Sequence, residues 1–523
     1  MTADPMTPER PRHPASVPNP PLRYLDDAKV PPYSHHGGAT PRSFKVSGTE
    51  QFTTPQEEKD RNQRYKTVAR EARGHFVGPV NPAWFISHHL NIQEKIDSQT
   101  HSYPPFPHIV PKWTQLRKSM RETEMYESIV SNYVWFFSFF SLIGLQVKGA
   151  RLFLNPNPIE KGGFVDTHSA KDPVRDDLSP DIMNYNHWIT APRSKVDLSK
   201  GEYFIEAKTG KSFDPFVDNY DKTSDRDRNY PFEATANSRM ITRGQILTYC
   251  AAIARSQFRT HVFGVIILGR HARLFRWDPS AMVVTSLFDY TKKRDNYLAK
   301  FIWYYDHASL RTRGHDTSVE RICEKRAIEL VGKKMVAKIK AKNLLHSHFC
   351  TMNISDREKG ENQHVHLISY PPPYQRMSPF GRMTRTLQAF DAVTKEFVFV
   401  KDYWRVVAPG MEKESDIYRR LEERSVPNIA PFGNGNDVLC QAWSKKTGRC
   451  VLKLVKTRHE FPPADKDKIQ AHKALEKWQL FRMSLKVIGN GLETFGSTKQ
   501  LVTAIADAME GESLYRHPMT PMY

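Results

Sequence analysis

Cysteine is scarce in this sequence: five occur among 523 residues, and no two of them are spaced as C-x-x-C. They are Cys250, Cys323, Cys350, Cys440 and Cys450. This spacing disfavours both a disulfide framework and a structural zinc site built from paired cysteines. The scarcity fits a reducing compartment, so we expect an intracellular protein, nuclear or cytoplasmic.

A secretory leader is not expected either, because the opening residues "MTADPMTPERPRHPASVPNPP" contain no apolar core. One long uncharged run does occur, "SIVSNYVWFFSFFSLIGLQV" at residues 128–147. Its serines, together with Asn132 and Gln146, favour a buried helix of a soluble domain over a membrane span. No membrane partner is therefore expected.

Acidic residues are in deficit, with 57 Asp and Glu against 77 Lys and Arg, a net charge of +20. Such a balance favours attraction to polyanions, so DNA or RNA bound through a basic surface is a predicted partner. The 39% of hydrophobic residues is enough to bury substantial cores. The length suggests about three domains.

The composition changes along the chain. Residues 1–65 hold 11 of the 36 prolines and predict a disordered arm. Residues 115–310 run helix, strands, helix, strand, which predicts an α/β domain. Residues 311–375 combine a basic helix with "YPPPY" and are interpreted as a connector. Residues 376–511 predict a second domain ending in a helical stretch over 465–509, and residues 512–523 form an atypical tail.

A first group of polar residues falls on two strands of the α/β domain. Glu206 and Lys208, in "FIEAK", project to one face, because alternate residues of a strand share a face, while Ile205 and Ala207 face the other way. Asp181 opens an earlier strand. Two carboxylates beside a lysine suit Mg²⁺, with Asp181 and Glu206 as metal ligands and Lys208 as the catalytic residue. The alternative is a turn aspartate and an exposed strand ion pair.

These residues resemble the motif of the PD-(D/E)xK restriction-endonuclease-like superfamily. Gln245 and Tyr249, in "QILTY", match a supporting Q-x-x-x-Y pair on the following helix. Glu127, in "MYES", matches an additional metal ligand on the first helix. The resemblance implies a restriction-endonuclease-like α/β domain and a Mg²⁺-dependent nuclease acting on DNA or RNA.

A second group follows in "FVFVKDYWR", where Lys401 closes an apolar strand and Glu414 lies at the start of the next helical segment. A strand lysine paired with a helix glutamate is how protein kinases hold ATP phosphates. Gly381, ahead of these strands, is a candidate for a reduced glycine loop. The alternative for Lys401 is a surface lysine at a strand end.

Several blocks in order resemble the fungal-type protein kinases. Among them are "RGQILTYCAAIARSQFRTHVFGVIILGRHARLFRWDPSAMVVTSLFDY", "FVKDYWR", "KESDIYRRLEERSVPNIAPFG" and "LVTAIADAMEG". The resemblance implies a partial protein-kinase-like domain, an N-lobe plus helices, with Lys401 as the ATP lysine and Glu414 as its partner. It also implies ATP and Mg²⁺ as cofactors and a protein substrate for a complete kinase.

One departure from that family concerns the catalytic loop. The family continues into H-R-D, an asparagine and a metal-binding aspartate, whereas this chain reads "ESLYRHPMTPMY" and contains no H-R-D. We therefore expect a kinase half truncated before its catalytic loop and inactive in phosphotransfer. The nuclease described above and a non-catalytic nucleic-acid-binding or scaffold protein remain the alternatives.

Overall fold

The computed structural model describes residues 61–90, 92, 163–168, 170–172, 178–185, 196–219, 230–292, 296–342, 348–355, 363–370, 378–444, 446–471, 475, 477–489 and 494–516. Four of the sequence predictions lie outside these residues: the arm up to residue 60, Glu127, the uncharged run 128–147, and the tail beyond residue 516.

The described residues form eight α-helices and seventeen strands. The helices are α1 (Arg61–Glu71), α2 (Pro82–His89), α3 (Asn237–Ser256), α4 (Tyr297–His307), α5 (Glu324–Val331), α6 (Lys333–Lys342), α7 (Glu414–Glu423) and α8 (Thr498–Arg516). The strands are β1 (Phe76–Val80), β2 (Gly163–Asp166), β3 (Ile182–Tyr185), β4 (Gly201–Lys208), β5 (Val262–Leu268), β6 (His271–Trp277), β7 (Met282–Thr285), β8 (Phe288–Asp289), β9 (Val319–Ile322), β10 (His348–Ser355), β11 (Gln363–Tyr370), β12 (Arg385–Asp391), β13 (Glu396–Val406), β14 (Phe432–Asp437), β15 (Leu439–Ser444), β16 (Arg449–Leu454) and β17 (Trp478–Leu485).

The first sheet has the order β1-β7-β6-β5-β4-β3-β2, with β8 beside β6. Strands β2, β3 and β4 form an antiparallel series, and β5 lies parallel to β4 after the crossover through α3. Strand β5, "VFGVIIL", is buried along its whole length. A continuous apolar run of this kind is expected where both faces of a sheet are covered. The mixed α/β architecture expected for this part of the chain is therefore present.

Helices cover both faces of this sheet. On one face α1 and α3 pack over Phe204 and Ile266, and on the other α2 and α4 pack over Ile205 and Ala207. Helices α1 and α3 touch backbone to backbone at Gly244, where an added Cβ would lie 1.8 Å from the carbonyl oxygen of Tyr65. The glycine is therefore needed for the close approach of the two helices.

The second sheet is antiparallel throughout and has the order β14-β17-β13-β12-β11-β10-β9. Residues 311–375, interpreted from the sequence as a connector, supply three of its strands, β9, β10 and β11. The helical prediction over 465–509 is wrong for β17, which pairs with β13 and β14. Strand β17 is buried on both faces, so its apolar residues lack the alternation that marks a half-buried strand.

A buried cluster of charged side chains connects the two sheets. The Arg482 guanidinium contacts Asp316 at 2.9 Å and Asp402 at 3.1 Å. Arg385 contacts Asp402 at 3.4 Å and donates to the carbonyl oxygens of Ala254 and Gln257, at the end of α3. All four charged side chains are buried. These ion pairs and hydrogen bonds thus connect the central strands of the second sheet to the turn before β9 and to α3.

A helix can cross a membrane only if it is long enough and mostly apolar. None of the helices that the structure describes has both the length and the apolar content needed to cross a membrane.

Candidate functional site

The predicted lysine–glutamate pair forms across β13 and α7. Lys401 lies on β13, the strand between β12 and β17, and its Nζ contacts both carboxylate oxygens of Glu414, at 2.6 and 2.9 Å. Glu414 is the first residue of α7, where the helix dipole stabilises a negative charge. Both side chains are about a quarter exposed, 25% for Lys401 and 23% for Glu414. The pair is therefore preorganised yet reachable from solvent.

Glu414 is held by two further side chains. The Tyr403 hydroxyl donates to Glu414 Oε2 at 2.7 Å, and an Arg382 nitrogen lies 3.5 Å from the same oxygen. The Arg382 guanidinium also covers the Tyr403 ring at 4.5 Å. Burial, and then the Glu414 carboxylate, raise the pKa of Tyr403 well above its usual range, so the phenol remains a neutral donor.

Gly381 has the positive φ, 109°, that glycine adopts at no steric cost. Its N–H donates to the carbonyl oxygen of Pro279 at 2.8 Å, beside Phe380, whose ring stacks on His75. The indole N–H of Trp277 donates to the carbonyl oxygen of Pro379. The Gly381 N–H is thus engaged with the protein, and the expected glycine-loop role gains no support from its position.

The second group, Asp181, Glu206 and Lys208, is also brought together. Ile182 pairs with Ile205 in the β3–β4 register, which places Asp181 opposite Glu206. Lys208 Nζ lies 2.7 Å from Glu206 Oε1 and 3.9 Å from Asp181 Oδ2. Asp181 Oδ2 also accepts the N–H of Ala207 at 2.9 Å. Glu206 is fully buried, whereas the other two side chains keep a small exposed fraction, so the group is not the exposed strand ion pair considered as the alternative.

The predicted supporting pair lies beside this group. Gln245 donates to the Tyr249 hydroxyl at 3.1 Å, and that hydroxyl donates to the carbonyl oxygen of Ser179, two residues before Asp181. Burial, followed by the Glu206 carboxylate, raises the pKa of Tyr249 well above its usual range. Tyr249 therefore stays protonated and fixes the segment that carries Asp181.

Whether this group of residues could bind a metal ion depends on which side chains are available as ligands. Among the described residues, no group of three or more His, Cys, Asp or Glu side chains is arranged to hold a metal ion. Asp181 and Glu206 supply two carboxylates, and Mg²⁺ commonly takes one or two carboxylates and keeps several waters. The two residues fit such a site, and Glu127, the third predicted ligand, lies outside the described residues.

Two residues at the lysine–glutamate pair were not anticipated. Tyr403 stands two residues after Lys401, so strand alternation alone would have placed both on one face. Arg382 has no comparable signal, because its approach to Glu414 depends on how the segment before β12 packs. Sequence reasoning therefore found the charged pair but not the groups that position it.

The comparisons with known proteins agree with the resemblance to the fungal-type protein kinases. A family model described as fungal protein kinase matches residues 230–518, more than half of the chain, and this range contains Gly381, Lys401 and Glu414. Asp181, Glu206 and Lys208 precede it, and the PD-(D/E)xK resemblance stays a prediction. No curated protein and no solved structure matches significantly. The chain belongs to the fungal protein kinase family.

Proposed function

We propose that the second sheet and α7 form a nucleotide-binding lobe in which Lys401 binds the phosphates of ATP and Glu414 orients it. The observation that carries this proposal is the contact of Lys401 Nζ with both Glu414 oxygens. Protein kinases in general use ATP and Mg²⁺ and need a strand lysine paired with a helix glutamate. The shared family supports the same use here.

The chemistry of the pair follows from its surroundings. Lys401 is an ammonium donor with three protons, and Glu414 engages it while leaving about a quarter of the lysine side chain exposed. Tyr403 and Arg382 hold the carboxylate, so little rotamer freedom is lost when phosphate oxygens approach the ammonium. This preorganisation favours binding of an anionic phosphate.

We extend the proposal to phosphotransfer. The 523 residues contain no H-R-D, the motif whose aspartate accepts the proton of the substrate hydroxyl in protein kinases. We propose that this chain on its own binds nucleotide without transferring phosphate.

Calorimetric titration with ATP and Mg²⁺ tests the binding statement, and incorporation of labelled phosphate into protein tests the statement on phosphotransfer. Lys401→Met is expected to weaken ATP binding by about tenfold to a hundredfold, because hydrogen bonds to charged groups contribute about 1.5–3 kcal/mol. Lys499→Met, an exposed lysine of α8, is the matched control and should leave binding unchanged. ATP affinity that is equal in wild type and Lys401→Met would contradict the binding proposal. Incorporation of labelled phosphate into protein by wild type, lost in Lys401→Met, would overturn the second statement.

We propose a Mg²⁺-dependent nuclease as a second function, favoured by the convergence of Asp181, Glu206 and Lys208 beside Tyr249. A metal bound there would polarise a phosphate and activate a water. Asp181 and Glu206 would hold it, and Lys208 would stabilise charge on the phosphate. The net charge of +20 supports attraction of DNA or RNA as the substrate.

Cleavage of labelled single- and double-stranded DNA and RNA, with Mg²⁺ or with EDTA, tests this function. Asp181→Asn and Glu206→Gln are each expected to slow Mg²⁺-dependent cleavage by roughly a hundredfold, the loss seen when one preorganised electrostatic group is removed. Asp197→Asn is the matched control, since Asp197 pairs with Lys200 away from this site. A wild-type chain that cleaves none of these substrates with Mg²⁺ would rule the nuclease out.

A further inference from the structure

A cavity of about 340 Å³ lies between the first sheet and the hairpin β15–β16. Its walls come from the end of α2, the two residues before β5, strand β6, the turn at residues 311–317, Cys440 of β15, and residues 453–458. Small-molecule sites commonly measure about 300–1,000 Å³, so a compact ligand fits. Neither of the two groups described above contributes a residue to this cavity.

The lining is strongly basic. Its five cationic side chains are Arg276, Arg311, Lys453, Lys456 and Arg458. The one carboxylate of the lining is Asp316, which is already bound to Arg482 at 2.9 Å. Positive charge therefore exceeds negative charge around this cavity, and a cleft lined by charges of one sign focuses the electrostatic field.

The cations differ in how far they are compensated. Arg276 contacts Asp278 at 2.7 Å, and Arg458 lies 3.6 Å from Glu460. Arg311 has the Cys440 side chain as a hydrogen-bonding neighbour, and neither Arg311 nor Lys456 is paired with a carboxylate of the lining, whose Asp316 is bound to Arg482. Like charges gathered in this way repel each other unless an anion lies among them.

His89 supplies an independent sign of a ligand. Its ring is 3% exposed, lines the cavity, and contacts Trp84 and Phe85 edge-on. Neither ring nitrogen has a hydrogen-bond partner among the described residues. Burial, followed by the charge of Arg276, lowers the pKa of His89 well below its usual value, so the ring is neutral and carries one N–H donor. A buried N–H without a hydrogen-bond partner is costly unless a ligand or water accepts a hydrogen bond from it.

We propose that this cavity binds a small anion bearing two or more phosphate groups, with Arg311, Lys456 and His89 as its main contacts. Guanidinium and ammonium groups are the usual partners of phosphate oxygens, and the neutral imidazole adds a directional donor. The volume of about 340 Å³ suits a compact molecule better than an extended nucleic-acid strand. This inference is independent of the proposed ATP and metal sites.

Calorimetry with sodium tripolyphosphate tests the proposal, using the full-length Lys401→Met chain so that the proposed ATP lysine cannot account for binding. Citrate, at matched ionic strength, serves as a tricarboxylate control. Tripolyphosphate is expected to bind and citrate to bind at least tenfold more weakly. The double variant Arg311→Met/Lys456→Met should weaken tripolyphosphate binding at least tenfold. His89→Phe keeps the ring contacts but removes the donor, and should weaken binding by roughly tenfold.

Folding of each variant is checked by thermal melting. Lys456 is exposed, so Lys456→Glu provides a charge reversal that leaves the core untouched and should also weaken binding at least tenfold. Lys499→Met should have no effect. The proposal is overturned if tripolyphosphate does not bind, or if it binds equally to the Lys456 and His89 variants. Single-stranded RNA that binds through Arg311 and Lys456 when tripolyphosphate does not would also overturn it, in favour of a nucleic-acid site.

Discussion

Arg482→Met is expected to lower the free energy of unfolding by about 3–5 kcal/mol, the cost of breaking a buried ion pair by removing one partner. Arg482 bridges Asp316 and Asp402 with its side chain fully buried. Without the guanidinium, both carboxylates would remain buried near one another with much less positive charge. Arg385, at 3.4 Å from Asp402, would compensate only one of them. The loss should therefore exceed that of most single substitutions.

Urea denaturation followed by circular dichroism measures this effect. Arg419→Met is the matched control, because Arg419 forms an exposed pair with Asp416 one turn away on α7. Exposed pairs contribute about 0–1 kcal/mol, so the control should unfold almost as the wild type does. A loss of less than about 1 kcal/mol in Arg482→Met would mean that water reaches the cluster and that the two sheets are joined mainly by apolar contacts.

Gly244→Ala is expected to lower the free energy of unfolding by about 2 kcal/mol, although alanine is the better helix former. Alanine in a helix interior gains about 1 kcal/mol over glycine. The added Cβ, however, would lie 1.8 Å from the carbonyl oxygen of Tyr65, and backbone atoms cannot rotate away as a side chain can. Overpacking of this kind costs about 1–3 kcal/mol and occasionally more. Helix α1 must therefore move off α3.

The same denaturation experiment tests this variant, and limited proteolysis near α1 reports whether that helix has detached. Gly210→Ala is the control, since a Cβ there meets no atom within 4 Å and the φ of Gly210, −170°, suits any residue. If Gly244→Ala were as stable as the control, the close approach of α1 to α3 would not be required by the fold.

Much of the local structure follows from the sequence. The strands containing "GEYFIEAK" and "HVFGVIILG", helix α3, and the hairpin of β12 and β13 are visible in hydrophobic periodicity. The parallel pairing of β1 with β7 and the addition of β9, β10 and β11 to the second sheet are not visible there. The pairing of β1 with β7 joins segments about 200 residues apart, and the strands β9, β10 and β11 lie in sequence whose basic and proline-rich composition indicates a connector. Strand β17 was missed because both of its faces are buried.

The candidate sites likewise divide into residues that a local pattern brings together and residues that meet only through long-range packing. Glu206 and Lys208 share a face through alternation, and Lys401 meets Glu414 through the short step from strand to helix, so both groups were foreseen. Arg382, by contrast, reaches Glu414 only through long-range packing. The basic cavity was not foreseen at all, because its residues come from six separate segments between His89 and Arg458.

The anchoring of residues 379–382 on the first sheet has a further consequence. Phe380 lies in the core beneath that sheet, and the next two residues lead directly to the contact with Glu414. A fragment beginning near residue 376 would expose that ring to water and separate Arg482 from Asp316. The smallest autonomously folding unit is therefore larger than the second sheet together with α7. The family match, residues 230–518, accordingly includes strands of both sheets.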